Sequence, residues 1–284
     1  MPWYRAPAKI NLGLRVGRRD ARGYHPVDTV MQTVAFEDRL WLAPAPELRW
    51  EVSGAAVTED NLIVRAYRWC RARNPALPPV HGKLEKRIWT GAGLGGGSSD
   101  AAAVVRWAYA GDPRLALPDF HREASALGMD VPFFLLGGRA RAQGYGERLT
   151  PLDVRRRWAV VLANPGFELS TAAVYEAYDA LDTAPLEPSL EAAWPALAEG
   201  GDLPQEALVN DLEEAAFRVE PRLRAFREVL RAAADGAPFA LSGSGPTYYI
   251  VGNDPEWAAW MAHRLRDRGI ARVYPTTTLE RGSL

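Results

Sequence analysis

Ten residues, Gly91-Ala92-Gly93-Leu94-Gly95-Gly96-Gly97-Ser98-Ser99-Asp100, restrict this chain more than any other segment. Five of the first seven are glycine. Without Cβ atoms such a run lets successive backbone N–H groups converge on an anion and permits close approach. The alanine-rich stretch from Asp100 predicts a helix of about ten residues, so the loop would present its amides at a helix N-terminus, where orphan donors and the dipole favour negative charge. Ser98 and Ser99 add hydroxyls able to donate to phosphate or to hold Mg²⁺. A di- or triphosphate is the expected guest, against the plain alternative of a flexible surface loop.

Two phosphate motifs are tested by this run. A P-loop ends in Gly-Lys-Ser/Thr, and here the residues are Gly97-Ser98-Ser99. Gly91-x-Gly93-x-x-Gly96 matches the dinucleotide fingerprint, which requires a second strand ending in an acid about 20 residues on. Asp112 has that spacing but falls in the turn Gly111-Asp112-Pro113, which disfavours a nicotinamide-dependent oxidoreductase. A catalytically silent nucleotide-binding module is the other alternative.

The chain has 284 residues, 48% apolar and 24% charged, with net charge −1. That suffices for one large domain or two modest ones, and gives no reason to expect nucleic-acid or anionic-membrane binding. Cys70 is alone, which excludes an intrachain disulfide and a cysteine-based zinc site. No apolar run reaches about 18 residues and no signal-peptide stretch follows Met1, so a cytoplasmic protein is expected. Only three of the 34 basic residues are lysine: Lys9, Lys83 and Lys86. Lysine is a compact point charge and arginine a planar fork, so a lysine kept in an arginine-rich chain marks a position to inspect.

Strands are expected over 7–17, 27–35, 39–43, 48–53, 80–88 and 158–163, over 239–241 and 247–251 about a Ser-Gly-Ser-Gly-Pro loop, and over 271–275. Helices are expected over 62–73 behind an Asn61 cap, then 119–127, 172–181, 208–217, 221–234 and 255–268, with 183–195 irregular or partly helical. Strict βαβ alternation is absent, so the expected class is α+β, with a boundary near 150 dividing 1–150 from 151–284.

Alternation places Ala8, Ile10 and Leu12 on one face of the first strand and Lys9 and Asn11 on the other. Taken by itself the strand favours a solvated face; a Lys–Asn pair directed into a cleft is the sharper reading. Asp130 stands among Leu127, Val131, Phe133 and Phe134, and is equally a helix N-cap or a functional acid. Tyr24-His25 follows a turn and could stack on and hydrogen-bond to a planar base. Ser170-Thr171 opens a helix with Tyr175 one turn in, and Arg155-Arg156-Arg157 is most simply a solvated cluster.

Pro7-Ala8-Lys9-Ile10-Asn11-Leu12, Gly93 to Ser99, and Leu241-Ser242-Gly243-Ser244-Gly245, in that order, resemble the three motifs of the GHMP kinase superfamily. Gly23-Tyr24-His25, Glu59 to Ala66, the Gly-Gly-Gly-Ser-Ser-Asp ending and Leu127 to Pro132 are similar to the branch acting on a cytidine diphosphate-linked methylerythritol in the non-mevalonate isoprenoid route; homoserine- or mevalonate-type kinases are the nearby alternative. The resemblance implies an N-terminal domain like the second domain of ribosomal protein S5 and a ferredoxin-like C-terminal domain, in a monomer or weak dimer. It implies ATP as co-substrate with Mg²⁺, and no protein side chain is assigned as a direct metal ligand. Asp130 would be the general base for the 2-hydroxyl, Lys9 its partner, and Asn11 an orienting group. Asn61, Lys86 and Gly91, Ala92, Gly93, Leu94, Gly95, Gly96, Gly97, Ser98 and Ser99 would contact the nucleotide. His25 would read the cytosine edge, with Tyr24 and Tyr175 as stacking faces, Thr171 nearby and Gly243 lining the substrate phosphates. The family usually carries a proline two residues before the first glycine, where this chain has Trp89.

Overall fold

The computed structural model describes residues 3–53, 58–153, 156–181, 183, 185, 187–199 and 203–283. The N-terminal part contains β1 (Trp3–Val16), β2 (Val27–Pro44), β3 (Arg49–Val52), α1 (Leu62–Arg73), β4 (Val80–Glu85), α2 (Gly96–Ala108), α3 (Pro118–Glu123), α4 (Val131–Leu136), β5 (Arg139–Gly144) and β6 (Arg148–Leu152). Its strands form one sheet in the order β3-β4-β2-β5-β6, with β1 antiparallel to β2. The remainder contains β7 (Ala159–Asn164), α5 (Thr171–Asp179), α6 (Trp194–Glu199), α7 (Glu213–Val219), α8 (Arg222–Ala234), β8 (Phe239–Leu241), β9 (Tyr248–Gly252), α9 (Pro255–Arg266) and β10 (Arg272–Thr277). Its antiparallel sheet runs β10-β7-β9-β8. The architecture is the expected α+β one.

A shared apolar core joins the two sheets. Ala8, Ile10 and Leu12 of β1 pack with Trp158, Val160 and Leu162 of the β7 segment and with Tyr249 and Val251 of β9. On the opposite face of β1 Lys9 and Asn11 are also buried, so that face is covered rather than solvated. Register shifts at Pro7/Ala8 and Asn11/Gly13 flank Lys9 and Asn11. Such bulges re-aim side chains locally.

The structure corrects several sequence expectations. The strands expected over 27–35 and 39–43 are one strand, β2; Glu37-Asp38 reads as a break, yet Asp38 is fully buried within it. The hairpin β5–β6 is missed because its arginines look like surface. Arg139 is instead 1% exposed, bonded to Gln32 and lying 4.0 Å over the Trp158 ring, and Arg141 grips Asp28 with two hydrogen bonds. The helix expected from Asp100 begins at Gly96, so the last two loop glycines form its first turn. The helix expected over 119–127 is α3 followed by a single 3₁₀ turn, Ala124–Ala126. The arginine cluster, by contrast, is solvated as expected where it is described: Arg156 and Arg157 are exposed, Arg157 pairing with Glu280 and Arg156 donating to Asn253, while Arg155 lies outside the described residues.

Candidate active site

A cleft of about 970 Å³ opens between the two sheets. Lys9, Asn11, Asn61, Lys86, Asp130 and the glycine loop line its N-terminal side; Thr171, Tyr175 and Gly243 line the other, with Tyr24 and His25 at one end. Segments more than 230 residues apart in sequence, at Lys9 and Gly243, are thus brought to one site.

The glycine loop is braced from both sides. The Leu94 carbonyl accepts from the Lys9 amide at 3.0 Å, and the Ser242 hydroxyl donates to the Gly93 carbonyl at 2.9 Å. Gly95 takes a left-handed conformation (φ 70°) as the N-cap of α2, and no side chain caps that helix. The first amides of α2 are therefore left for a ligand, at the pole where the dipole favours an anion. Ser98 lines the cleft with them. Ser99 does not: it is fully buried, one helical step round toward the core, and its hydroxyl has no partner. Asn61 lines the cleft and also caps α1, accepting from the Ile63 amide at 3.1 Å.

Lys9 is only 5% exposed. Its ammonium donates to Asn11 Oδ1 at 2.5 Å, and Asn11 Nδ2 donates to the Thr29 hydroxyl at 2.9 Å. A Cβ on Gly243 would stand 3.1 Å from Lys9 Nζ and 3.3 Å from Asn11 Oδ1, so only a glycine leaves this pair open to the cleft. Burial holds the Lys9 ammonium below its ordinary range, and the negative charge of Asp130 pulls it back up. Asp130 occupies the N-cap position of α4, but its carboxylate caps nothing. Its backbone carbonyl performs that local task by accepting from Phe134 at 3.2 Å. Of the two equal readings of Asp130, the structure removes the side-chain cap. Burial first, then the Asp130 charge, raises the Tyr175 phenol across the cleft.

Lys86 is held differently from Lys9. Its ammonium bridges Asp38 and Asp100, the latter at 2.8 Å, beneath the loop. A Cβ on Gly96 would lie 3.4 Å from that ammonium. The third lysine, Lys83, sits on the surface beside Glu51. At the far end, His25 Nδ1 meets the Gly17 carbonyl at 3.0 Å and its ring lies 5.0 Å from Tyr175, while Tyr24, 53% exposed, stands 5.6 Å from Tyr145. Trp89 lines the cleft and packs on Phe36 at 5.1 Å.

Sequence reasoning missed Tyr145, Arg19 and Asp179 on the cleft wall. Tyr145 belongs to the unrecognised hairpin. Asp179 had a usable signal: Thr171, Tyr175 and Asp179 are spaced by four and share one face of α5.

An uncapped helix N-terminus beside a buried lysine and a carboxylate free of any capping task, in a cleft between the two sheets, fits a kinase for small molecules. The GHMP kinases N terminal domain family matches residues 61–138. A crystal structure of 4-(cytidine 5'-diphospho)-2C-methyl-D-erythritol kinase is similar over 98% of this chain and 99% of that one, with a TM-score of 0.80 and 38% identity. A crystal structure of L. major mevalonate kinase shares the fold at a TM-score of 0.71 and 13% identity, over 100% of this chain and 97% of its own.

The 4-diphosphocytidyl-2-C-methyl-D-erythritol kinase of Moorella thermoacetica is 38% identical over 284 residues, 97% of each chain, and that of Thermus thermophilus 40% over 267, covering 94% and 93%. The chain belongs to the 4-diphosphocytidyl-2-C-methyl-D-erythritol kinase family within the GHMP kinases.

Proposed function

We propose that the cleft transfers the γ-phosphoryl group of ATP to the 2-hydroxyl of 4-diphosphocytidyl-2-C-methyl-D-erythritol, with Asp130 as general base. One juxtaposition supports this reading most. Asp130, free of any capping task, acts on the buried Lys9 beside an α2 N-terminus whose amides no side chain takes. Family membership implies ATP as co-substrate.

Phosphoryl transfer needs positioning and charge neutralisation more than covalent help. On this reading the loop amides and Ser98 hold the ATP phosphates. Asp130 takes the proton of the attacking hydroxyl, Lys9 stabilises charge on the transferred group, and Asn11 fixes the direction of the Lys9 ammonium. Residues 1–150 then act as the ATP-binding domain and 151–284 as the second domain, with Thr171, Tyr175, Tyr24 and His25 around the cytidyl end. Mg²⁺ is a hard cation that keeps several waters and takes oxygen ligands, chiefly from phosphates, and the Ser98 hydroxyl lining the cleft is an oxygen of that kind. Ser98 is the residue placed to help hold it, and the ion would supply neutralisation of phosphate charge.

The test is transfer of labelled γ-phosphate, with Mg²⁺, to a panel of alcohols. Label is expected on the cytidyl substrate; transfer to homoserine or mevalonate instead would overturn the reading. Two variants test its parts. Lys9→Arg keeps the charge but puts a planar fork where a compact ammonium fits under Gly243, and turnover is expected to fall by about 100-fold. Full activity would make the scarcity of lysine a matter of composition only. In Gly93→Ala the new Cβ would lie 2.1 Å from the Ser242 carbonyl oxygen, at a residue whose φ is +73°. The loop must then leave its brace, and KM for ATP is expected to rise about tenfold, equivalent to roughly 1.4 kcal/mol.

A further inference from the structure

Four successive carbonyls of the glycine loop are each held by a donor from elsewhere in the chain. Gly91 accepts from the Leu169 amide at 3.2 Å, Ala92 from the Thr247 amide at 3.4 Å, Gly93 from the Ser242 hydroxyl at 2.9 Å and Leu94 from the Lys9 amide at 3.0 Å. Three of these four donors lie beyond Ala159, in the part of the chain that builds the second sheet. A trans peptide sets its carbonyl and the following N–H in opposite directions. Each brace therefore also aims the next amide, from Ala92 to Gly95. These four residues line the cleft, and among the described residues their amides find no acceptor. What the second half of the chain fixes is thus the set of donors left for phosphate.

Three of the braces come from backbone amides, which any residue but proline supplies. Only that of Ser242 depends on a side chain. Ser242 is fully buried, and its own loop is closed around it: its amide donates to the Thr247 carbonyl at 2.9 Å, and its carbonyl accepts from the Gly245 amide at 2.9 Å. The hydroxyl is therefore carried on a fixed backbone. The two loops also approach closely, since a Cβ on Gly243 would stand 3.4 Å from the Gly93 carbonyl oxygen. Without the hydroxyl, the Gly93 carbonyl loses its donor and the peptide it shares with Leu94 is free to turn.

We propose that Ser242 is a positioning residue for ATP: its hydroxyl acts through the Gly93 carbonyl to hold the Leu94 amide in place for the nucleotide phosphates, so that the half of the chain outside the loop's own domain helps to set ATP affinity. This inference rests on the reading above that the loop amides hold the ATP phosphates.

The experiment compares the steady-state constants of wild type, Ser242→Ala and Ser242→Cys for ATP and for the cytidyl substrate. Ser242→Ala is expected to raise KM for ATP about tenfold, with kcat and KM for the cytidyl substrate within about twofold of wild type. Ser242→Cys puts a weak donor in the same place, and its KM for ATP is expected to fall between the two. Gly93→Ala already drives the loops apart, so combining it with Ser242→Ala is expected to give about the tenfold rise of either change alone rather than about 100-fold. Equal rises in both KM values would mean that Ser242 only shapes its own loop beside Gly243, which overturns the proposal. A cysteine variant no better than the alanine one, or full multiplication in the double variant, overturns it too. Absence of ATP-dependent turnover in the wild type would instead overturn the underlying functional reading.

Discussion

Replacing Asp130 with asparagine is expected to lower kcat by roughly 100- to 10,000-fold, the range supplied by a positioned general base. Melting temperature and ATP affinity should stay close to wild type. The structural argument for the second half is as specific as for the first. An N-cap side chain normally contributes about 1 kcal/mol to its helix, but the Asp130 carboxylate makes no such bond, so α4 loses nothing when it is changed. The backbone bond from Phe134 to the Asp130 carbonyl is indifferent to the side chain. The variant also has a signature beyond lost turnover. Burial lowers the Lys9 ammonium and the Asp130 charge opposes that, so removing the charge lowers Lys9 further. The alkaline limb of the residual activity should therefore move to lower pH. Calorimetry, ATP titration and a pH profile on the same preparation check all three. Full turnover would end the assignment of Asp130 as base; a large fall in melting temperature would show that its side chain is structural after all.

The residues that carry short-range information were legible in the sequence, and those defined by distant partners were not. Asn61 at the head of α1 was readable from its type and place, and so was the meeting of a glycine run with a helix. Alternation in β1 correctly separated Lys9 and Asn11 from Ala8, Ile10 and Leu12, but it could not say what covers the polar face. That cover comes from Gly95 and Gly243, far along the chain. The same limit hid β5 and β6. Arg139 and Arg141 look solvated until Gln32 and Asp28, more than 100 residues away, are placed beside them. Lys86 was readable as a lysine near the loop, yet its partner Asp38, 48 residues earlier, decides what its ammonium does.

That partnership leads to the largest expected effect on stability. Lys86→Met is expected to cost about 3–5 kcal/mol, because removing one member of a buried ion group leaves the others uncompensated. Asp38 and Asp100 are both almost wholly buried, and Lys86 bridges them. Against a usual total of about 5–15 kcal/mol, this threatens folding, and a fall in melting temperature on the order of 10 °C is expected. The two carboxylates are not equivalent. Asp38 also accepts from the backbone amides of Arg87 and Ile88, whereas Asp100 has one oxygen with no partner. Burial raises Asp100 to about 8, Lys86 opposing and Asp38 adding to the rise. The sign follows from proton counting: between the ordinary value of 3.8 and about 8 the folded state binds more protons than the unfolded one, so stability falls as pH rises through that window. Burial works against the Lys86 ammonium, but its two carboxylates prevail and raise it; this contribution also fades only on the alkaline side. Asp100→Asn should therefore flatten the decline in stability up to about pH 8, and in the Lys86→Met background it should recover part of the loss, leaving Asp38 with its two backbone donors. Denaturant melts of the single and double variants across that range measure both effects. Equal stability of Lys86→Met and wild type at every pH would show that Lys86 contributes through the nucleotide alone.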